Sequence, residues 1–296
     1  MAVDRCGSIS WMMFVVSLMV SSMAICSSAG GIGRRSNILI LSPVTAPSHS
    51  NFIRPMVREL ANRGHAVTYW NGLKSDKDSL PRNNLRQLYS EALGELNSDH
   101  QVSFADRGHQ FLLLFTFYDR TVSACKAIYE DPIFHQLMTT DEQFDLVAVE
   151  GVLNECVLPL VHKLKAPLIY LNSIAPTPWQ LEAIGSPLAM DHNPNPAFSF
   201  TDRMNIWQRA INTLSGLFIV YFRNWILMPT VDGLASQMLT NVSLPSVRTI
   251  EQESLSLHIT NTHSSVNYQL PITSNVVEAG GLHCAPSKPL PKVFLQ

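Results

Sequence analysis

Two residues of this sequence have side chains and positions suited to acid–base chemistry. His49 lies in a loop of small and turn-forming residues after the apolar run 38–41, and Glu150 closes the apolar run 144–150. Because parallel strands end at one edge of a sheet, we expect the two side chains to lie within hydrogen-bonding range. An imidazole is a suitable general base for a hydroxyl, and a carboxylate behind it would orient the ring. Spacing alone is not specific for such a pair, because the chain contains 10 histidines.

The residues around His49 predict a strand–helix–strand unit over residues 36–70. The run 38–41 is typical of a buried strand, and apolar residues then recur at helical spacing up to residue 61. Gly64 suits the end of this helix, where a positive φ angle is often needed, and residues 66–70 predict the second strand. We expect the helix to begin just after His49.

A second unit of the same kind covers residues 144–173. The continuous apolar run 144–150 predicts a buried parallel strand, residues 156–164 a helix, and residues 166–171 another strand. Two strand–helix–strand units in one chain predict an α/β fold with a doubly wound parallel sheet.

The remaining segments are expected to surround this sheet. Residues 71–100 are polar and poorly periodic, which favours a long excursion away from the sheet, and residues 202–222 predict a helix with Asp202 near its start. Residues 214–228 are apolar but shorter than a membrane span and interrupted by polar side chains, which favours an interfacial or acceptor-covering helix.

The N-terminal segment 1–29 has the pattern of a secretory signal peptide. Arg5 precedes an apolar core at residues 11–26, and the small residues 27–29 suit signal peptidase. A retained anchor is the alternative, but the apolar core is about 16 residues, against the roughly 20 that a span needs. We therefore expect the mature protein in a lumenal or secreted compartment.

Removal of this segment leaves an odd number of cysteines, namely Cys125, Cys156 and Cys284. One disulfide and one free thiol would be compatible with an oxidising compartment, but the spacing does not assign a pair. Asn241 begins an N-glycosylation sequon, which suits a lumenal surface loop. The net charge of −2 gives no reason to expect a nucleic acid as partner.

Other catalytic and cofactor motifs are absent or lack their context. The glycine cluster at residues 30–33 precedes the first strand instead of following it, so it does not predict dinucleotide binding. Ser173 lacks the surroundings of a hydrolase nucleophile, and His283 with Cys284 has no second pair of metal ligands. We expect no metal and no resident cofactor.

Several segments together resemble the N-terminal half of the membrane-associated UDP-glycosyltransferases of animals, particularly those of insects. The resemblance runs from about residue 36 to residue 292, and its motifs occur in the family's order. They are Ser48-His49, residues 63–68, residues 144–150, residues 201–204 with 207–209, residues 275–283, and residues 288–292.

The resemblance implies a GT-B enzyme with two Rossmann-like domains, of which residues 30–292 would be the acceptor-binding one. It implies that His49 is the general base for a hydroxyl of a small lipophilic acceptor, and that a hexose is transferred from a UDP-sugar with inversion. The UDP-sugar would be a co-substrate held mostly by the other domain. Glu150 stands where relatives commonly carry an aspartate, and its extra methylene changes the reach of the carboxylate.

The resemblance also predicts a departure after Lys292, where residues 293–296 would be a truncated tail without donor domain or membrane anchor. This predicts weak or no activity of the chain alone. Two alternatives stay open: a non-catalytic acceptor-binding or regulatory form that pairs with full-length enzymes, and a gene whose product continues past residue 296. The expected location is the lumen or membrane of the endoplasmic reticulum, or outside the cell.

Aromatic residues are the remaining candidates for the acceptor pocket. Aromatic side chains more often belong to the core, so we expect each of the four candidates there. They are Phe117, Trp179, Phe200 and Trp207.

Overall fold

The structure is a computed structural model that describes residues 35–74, 83–99, 110–195, 198–240 and 242–284. The predicted signal peptide, the predicted tail 293–296 and the glycosylation residue Asn241 lie outside these ranges. Predictions about those segments therefore remain predictions.

Seven strands form one sheet in which every neighbouring pair is parallel. Their order across the sheet is β3-β2-β1-β4-β5-β6-β7, so the chain starts at the centre and winds outward in both directions. The strands are β1 Asn37–Ser42, β2 Ala66–Asn71, β3 Leu85–Leu88, β4 Leu146–Glu150, β5 Leu168–Asn172, β6 Leu255–Thr260 and β7 Val276–Glu278.

Helices connect the strands and cover the sheet. They are α1 Pro47–Asn62, α2 Glu91–Asp99, α3 Gln110–Glu130, α4 Pro132–Thr139, α5 Leu158–Leu164, α6 Pro178–Ala183, α7 Ile206–Phe222, α8 Met228–Met238 and α9 Val247–Ser254. A 3-10 turn, Glu155–Val157, precedes α5, and a π-helical segment, Arg223–Leu227, joins α7 to α8.

The central strand β1 is buried on both faces. Leu39 and Leu41 belong to a core cluster with residues of α3, α5 and α8, whereas Ile38 and Ile40 pack in a second cluster with residues of α1. Side chains of a strand alternate between its two faces, so this division places helices on both sides of the sheet. The predicted doubly wound α/β fold is confirmed.

Two predictions about element boundaries are wrong. Residues 71–100 were expected outside the sheet, but they supply β3, which pairs with β2 at the sheet edge, and α2. β3 escapes sequence recognition because it has four residues and two of them are exposed polar side chains, which an edge strand tolerates. Asn205, not Asp202, caps α7: its side chain accepts a hydrogen bond from the backbone N–H of Gln208.

The apolar segment 214–228 lies within a longer continuous helical stretch, Ile206–Met238. It has 33 residues and is apolar enough to cross a membrane by length and composition. A core helix passes the same test, and Met228, Val231 and Ala235 of its second half do belong to the core. The first half, α7, turns many apolar side chains outward.

A disulfide joins Cys125 of α3 to Cys156 in the 3-10 turn, and Cys284 is a free, exposed thiol. The sequence did not decide which two of the three cysteines form a disulfide, and the structure does. The bond ties α3 to the loop that follows β4.

Candidate active site

The candidate site lies where β1 and β4 run side by side at the centre of the sheet. Leu41 of β1 stands opposite Val149 of β4, so Ser42 and Glu150 end their strands at the same edge. The strand order reverses between these two strands, and open α/β sheets bind ligands at such points. The edge is therefore suited to holding side chains for chemistry.

His49 is held by the first turn of α1, and not by the preceding loop as the sequence suggested. α1 begins two residues earlier at Pro47, whose fixed φ angle and missing N–H suit a first helical position. A helical backbone fixes the position of His49 more firmly than a loop would, while its side chain remains 18% exposed.

Glu150 lies directly behind His49. The Nδ1 atom of His49 is 2.8 Å from Oε1 of Glu150, and the Glu150 side chain is only 1% exposed. The longer side chain of glutamate therefore reaches the imidazole. An ionised carboxylate can only accept a hydrogen bond, so Nδ1 carries the proton and Nε2 keeps its lone pair.

Burial and the neighbouring charge act in opposite directions on the two groups. Burial is the largest influence on His49 and lowers its pKa, but the hydrogen bond and charge of Glu150 together hold that pKa above the ordinary 6.5. Burial raises the pKa of Glu150, and the contact with His49 pulls it back down. The contact thus favours a proton on Nδ1 of His49, with the Glu150 carboxylate accepting the hydrogen bond.

Two buried or half-buried asparagines fasten the loop between β1 and α1. The side chain of Asn154 donates to Oε2 of Glu150 (2.8 Å) and exchanges hydrogen bonds with the backbone of Val44. Asn97 of α2 donates to the carbonyl of Pro43 and accepts from the N–H of Thr45. The sequence did not point to either residue, because amide side chains of this kind occur throughout loops.

Three buried hydroxyl groups lie beneath the pair. Ser42, Ser50 and Tyr69 are each 1% exposed or less, and the hydroxyls of Ser50 and Ser42 interact with the Tyr69 phenol and lower its pKa against the effect of burial. Burial raises the pKa of Tyr69 to about 12, so this phenol stays protonated and neutral at physiological pH. The positive charge of Arg54 acts in the opposite direction and lowers the Tyr69 pKa.

The four aromatic candidates are not core residues as expected. Trp207 is 77% exposed and Phe117 is 37% exposed, while Trp179 and Phe200 are only half-buried. Within the described part of the chain there is also no cluster of three or more His, Cys, Asp or Glu side chains placed to hold a metal ion. The chemically equipped group at this edge is the pair formed by His49 and Glu150.

The fold and the site define a Rossmann-like α/β domain with a histidine–carboxylate pair at the carboxyl edge of its sheet. Residues 38–296 match the family described as UDP-glucoronosyl and UDP-glucosyl transferase. The chain belongs to this family, and its sheet is a doubly wound parallel one.

Similar proteins come from insects and mammals. The chain is 27% identical over 260 residues to UDP-glycosyltransferase UGT4 of Dactylopius coccus, covering 88% of this chain and 51% of that protein. It is 28% identical over 274 residues to UDP-glucuronosyltransferase 2B1 of Rattus norvegicus, covering 84% of this chain and 49% of that protein. The chain thus spans about half the length of these relatives.

Among solved structures, the calicheamicin glycosyltransferase CalG4 overlaps with 83% of this chain and 53% of its own, with a TM-score of 0.47 and 15% identity. The fold class therefore rests on the sheet order and the family match.

Proposed function

We propose that this domain is the acceptor-binding half of a UDP-glycosyltransferase in which His49 is the general base. The observation that carries the proposal is the 2.8 Å contact between Nδ1 of His49 and the buried carboxylate of Glu150. That contact fixes the tautomer that leaves Nε2 unprotonated, which is the form a general base needs.

In the proposed reaction, Nε2 of His49 takes the proton of an acceptor hydroxyl as its oxygen attacks the anomeric carbon of a UDP-hexose. The new carbon–oxygen bond forms as the bond to UDP breaks, so configuration at that carbon inverts. Glu150 stabilises the imidazolium that results, because its negative charge lies against the newly positive ring. The UDP-sugar is a co-substrate, and the proposed step needs no metal or resident cofactor.

Substitution of His49 tests this proposal. We expect His49→Ala to lower the single-turnover rate with UDP-glucose and a phenolic acceptor by about 10²–10⁴-fold, the usual contribution of a general base. Acceptor affinity, measured by isothermal titration, should be retained, since the change removes the base and not the acceptor pocket.

The matched control is His135→Ala, which changes an exposed histidine on α4. It should leave turnover unchanged. Measurable turnover by the unsubstituted chain that His49→Ala leaves unchanged would contradict the proposal.

For the 296-residue chain by itself we propose weak transfer or none, with acceptor binding as its measurable property. The resemblance assigns the UDP-sugar mostly to a second domain, and the matched relatives are about twice as long. A regulatory role in pairing with full-length family members is the second candidate. Titration with UDP discriminates between them: micromolar binding by the chain alone would favour catalysis over a purely regulatory role.

We also propose that the outward face of α7 rests on a membrane surface, in keeping with a lumenal, membrane-associated enzyme for lipophilic acceptors. This face carries an unbroken row of exposed apolar side chains, and two tryptophans and a tyrosine are among them. Such side chains favour the boundary between lipid headgroups and acyl chains. The row is Trp207, Ile211, Leu214, Leu217, Phe218 and Tyr221 of α7, and it continues onto Trp225 of the π-helical segment.

Flotation with phosphatidylcholine vesicles tests this face. We expect the chain to float with the vesicles, and the triple variant Trp207→Ser/Leu214→Ser/Trp225→Ser to remain in solution, because it loses most of the apolar area available for insertion. Val266→Ser changes an isolated exposed valine elsewhere and serves as control. Loss of a dimer in the triple variant, without any change in flotation, would instead assign the face to a second copy of the chain.

A further inference from the structure

The turn after β4 brings one buried amide group against both halves of the candidate site. Asn154 is 3% exposed and donates from Nδ2 to Oε2 of Glu150, the carboxylate oxygen that His49 does not use. The same amide donates to the carbonyl of Val44 (2.9 Å) and accepts from the Val44 N–H (3.0 Å). One side chain therefore holds the carboxylate and the β1–α1 loop at the same time.

These contacts close a ring of interactions. The loop from Val44 leads into α1 and His49, His49 bonds to Oε1 of Glu150, and Oε2 of Glu150 bonds to Asn154, which returns to Val44. With both oxygens engaged, the Glu150 carboxylate cannot rotate without losing a charge-assisted hydrogen bond. The same closed set of contacts fixes the orientation of the His49 imidazole.

The backbone of this turn is held in an unfavourable conformation. Leu153 has φ of 59°, in the left-handed region that non-glycine residues avoid, and Asn154 has φ of −115° and ψ of 23°. A left-handed conformation is unfavourable for a residue with a Cβ atom, and such strain persists where surrounding contacts enforce it. This backbone conformation places the Asn154 side chain where it can hydrogen-bond to Glu150 and Val44.

We propose that Asn154 is a positioning residue. It holds the Glu150 carboxylate against His49 and also fixes the position of the β1–α1 loop. The inference rests on the proposed function of His49, and it adds a residue that touches neither the acceptor nor the reacting atoms. Loss of Asn154 should change the protonation and tautomer of the His49 imidazole, beyond any change in the free energy of unfolding.

The test is an NMR titration of the His49 imidazole in the 296-residue chain. In Asn154→Ala, Glu150 loses its hydrogen bond at Oε2 and is held less firmly against His49, so burial lowers the His49 pKa with weaker opposition from the carboxylate. We expect the measured His49 pKa to fall, together with loss of the fixed Nδ1–H tautomer. In turnover assays kcat should fall roughly 10- to 100-fold with acceptor KM unchanged, as for other partners that orient a histidine.

Asn212→Ala is the matched control. Asn212 is also a buried amide, donating to the carbonyls of Met190 and Asn193 and accepting from the N–H of Asn195, but it makes no contact with Glu150. It should lower stability to a similar extent and leave the His49 titration unchanged. If Asn154→Ala does not fold, the double variant Leu153→Gly/Asn154→Ala relieves the backbone strain and serves in its place.

The outcomes are separable from those for the proposed function. An unchanged His49 pKa and tautomer in a folded Asn154 variant overturns the positioning role, whatever His49→Ala does to turnover. A changed titration with normal turnover in His49→Ala supports the positioning role and overturns the catalytic one.

Discussion

His258 lies on β6 as a completely buried imidazole. Both ring nitrogens lack a hydrogen-bond partner within the described ranges, and the ring contacts Tyr170 edge-on at 6.1 Å between centroids. Burial lowers the pKa of His258 to about 4, although the nearby charge of Glu251 acts to raise it. The folded protein thus keeps this ring neutral well below its ordinary pKa.

This neutral ring predicts a loss of stability in mild acid. Between about pH 6.5 and pH 4 the unfolded chain binds a proton at His258 that the folded chain does not, so the free energy of unfolding falls as pH falls. The full difference is about 3 kcal/mol. We expect His258→Leu to remove this part of the pH dependence, as measured by urea unfolding at pH 7 and pH 4.5.

His135→Gln, at an exposed position, is the control and should leave the pH dependence as it is. The raised pKa of His49 contributes in the opposite sense, because it favours the folded state while protonated and loses that contribution as pH rises. The His49 contribution is the same in the variant and the parent, so it cancels when their pH dependences are compared. An identical pH slope in His258→Leu would rule out a buried neutral ring at this position.

The π-helical segment between α7 and α8 exists around a buried ion cluster. Arg223 binds Glu251 through both Nη atoms, at 3.0 and 2.7 Å, and its Nε lies 3.3 Å from Glu155. The Tyr170 hydroxyl donates to the same Glu251 carboxylate at 2.6 Å. One cation therefore links α7, α9 and the turn that follows β4, and the widened helix turn places its side chain inward.

Removing this cation should be costly. Arg223→Met leaves two buried carboxylates without their cation, and we expect the free energy of unfolding at pH 7 to fall by about 3–5 kcal/mol. A second change, Glu251→Gln, should recover part of the loss because it removes one of the uncompensated charges. Both are read from urea denaturation midpoints.

The comparison variant is Arg63→Met, which breaks an exposed pair with Glu59 on α1. Exposed pairs of this kind contribute little, so its midpoint should hardly move. A similarly small effect for Arg223→Met would mean that the cluster is solvated and not a structural link.

The boundaries of most elements followed from periodicity, and the exceptions have physical reasons. β1, β2, β4 and β5 are continuous apolar runs because both faces of the sheet are covered. The sequence marked Arg223 only as an interruption of an apolar stretch, since its two acidic partners lie 68 and 28 residues away. Ion pairs between distant residues leave no local pattern.

The candidate site, like the fold, could be predicted in part from the sequence. Strand order places His49 and Glu150 at neighbouring strand ends, and this needs only the pattern of apolar runs. The role of Asn154 could not be predicted, because it depends on the left-handed turn at Leu153. The residue types in this segment do not predict such a turn. The disulfide partner of Cys156 likewise depends on how α3 packs, and spacing did not decide it.

The protein as a whole is cross-linked by a bond that closes a 31-residue separation between Cys125 and Cys156. Constraining the unfolded chain over such a loop is worth about 3–4 kcal/mol. We expect Cys125→Ala/Cys156→Ala to lower the free energy of unfolding by roughly this amount, measured by urea unfolding without reductant.

Cys284→Ala changes the exposed free thiol and should have no effect on the urea midpoint. Dithiothreitol should lower the midpoint of the parent chain to that of the double variant and leave the double variant itself unchanged. A midpoint of the parent that does not respond to reductant would show that the bond does not form in solution.

The pairing of β1 with β4 has a consequence for the order in which the molecule matures. β1 can pair with β2 within one short unit, and α1 with His49 belongs to that unit. Glu150 is 101 residues further along the chain, so it reaches His49 only when β4 joins β1. Closing so long a loop is a slow, late step in parallel sheets. A partly folded chain therefore holds a bare histidine, and the proposed base acquires its partner only when the sheet is nearly complete.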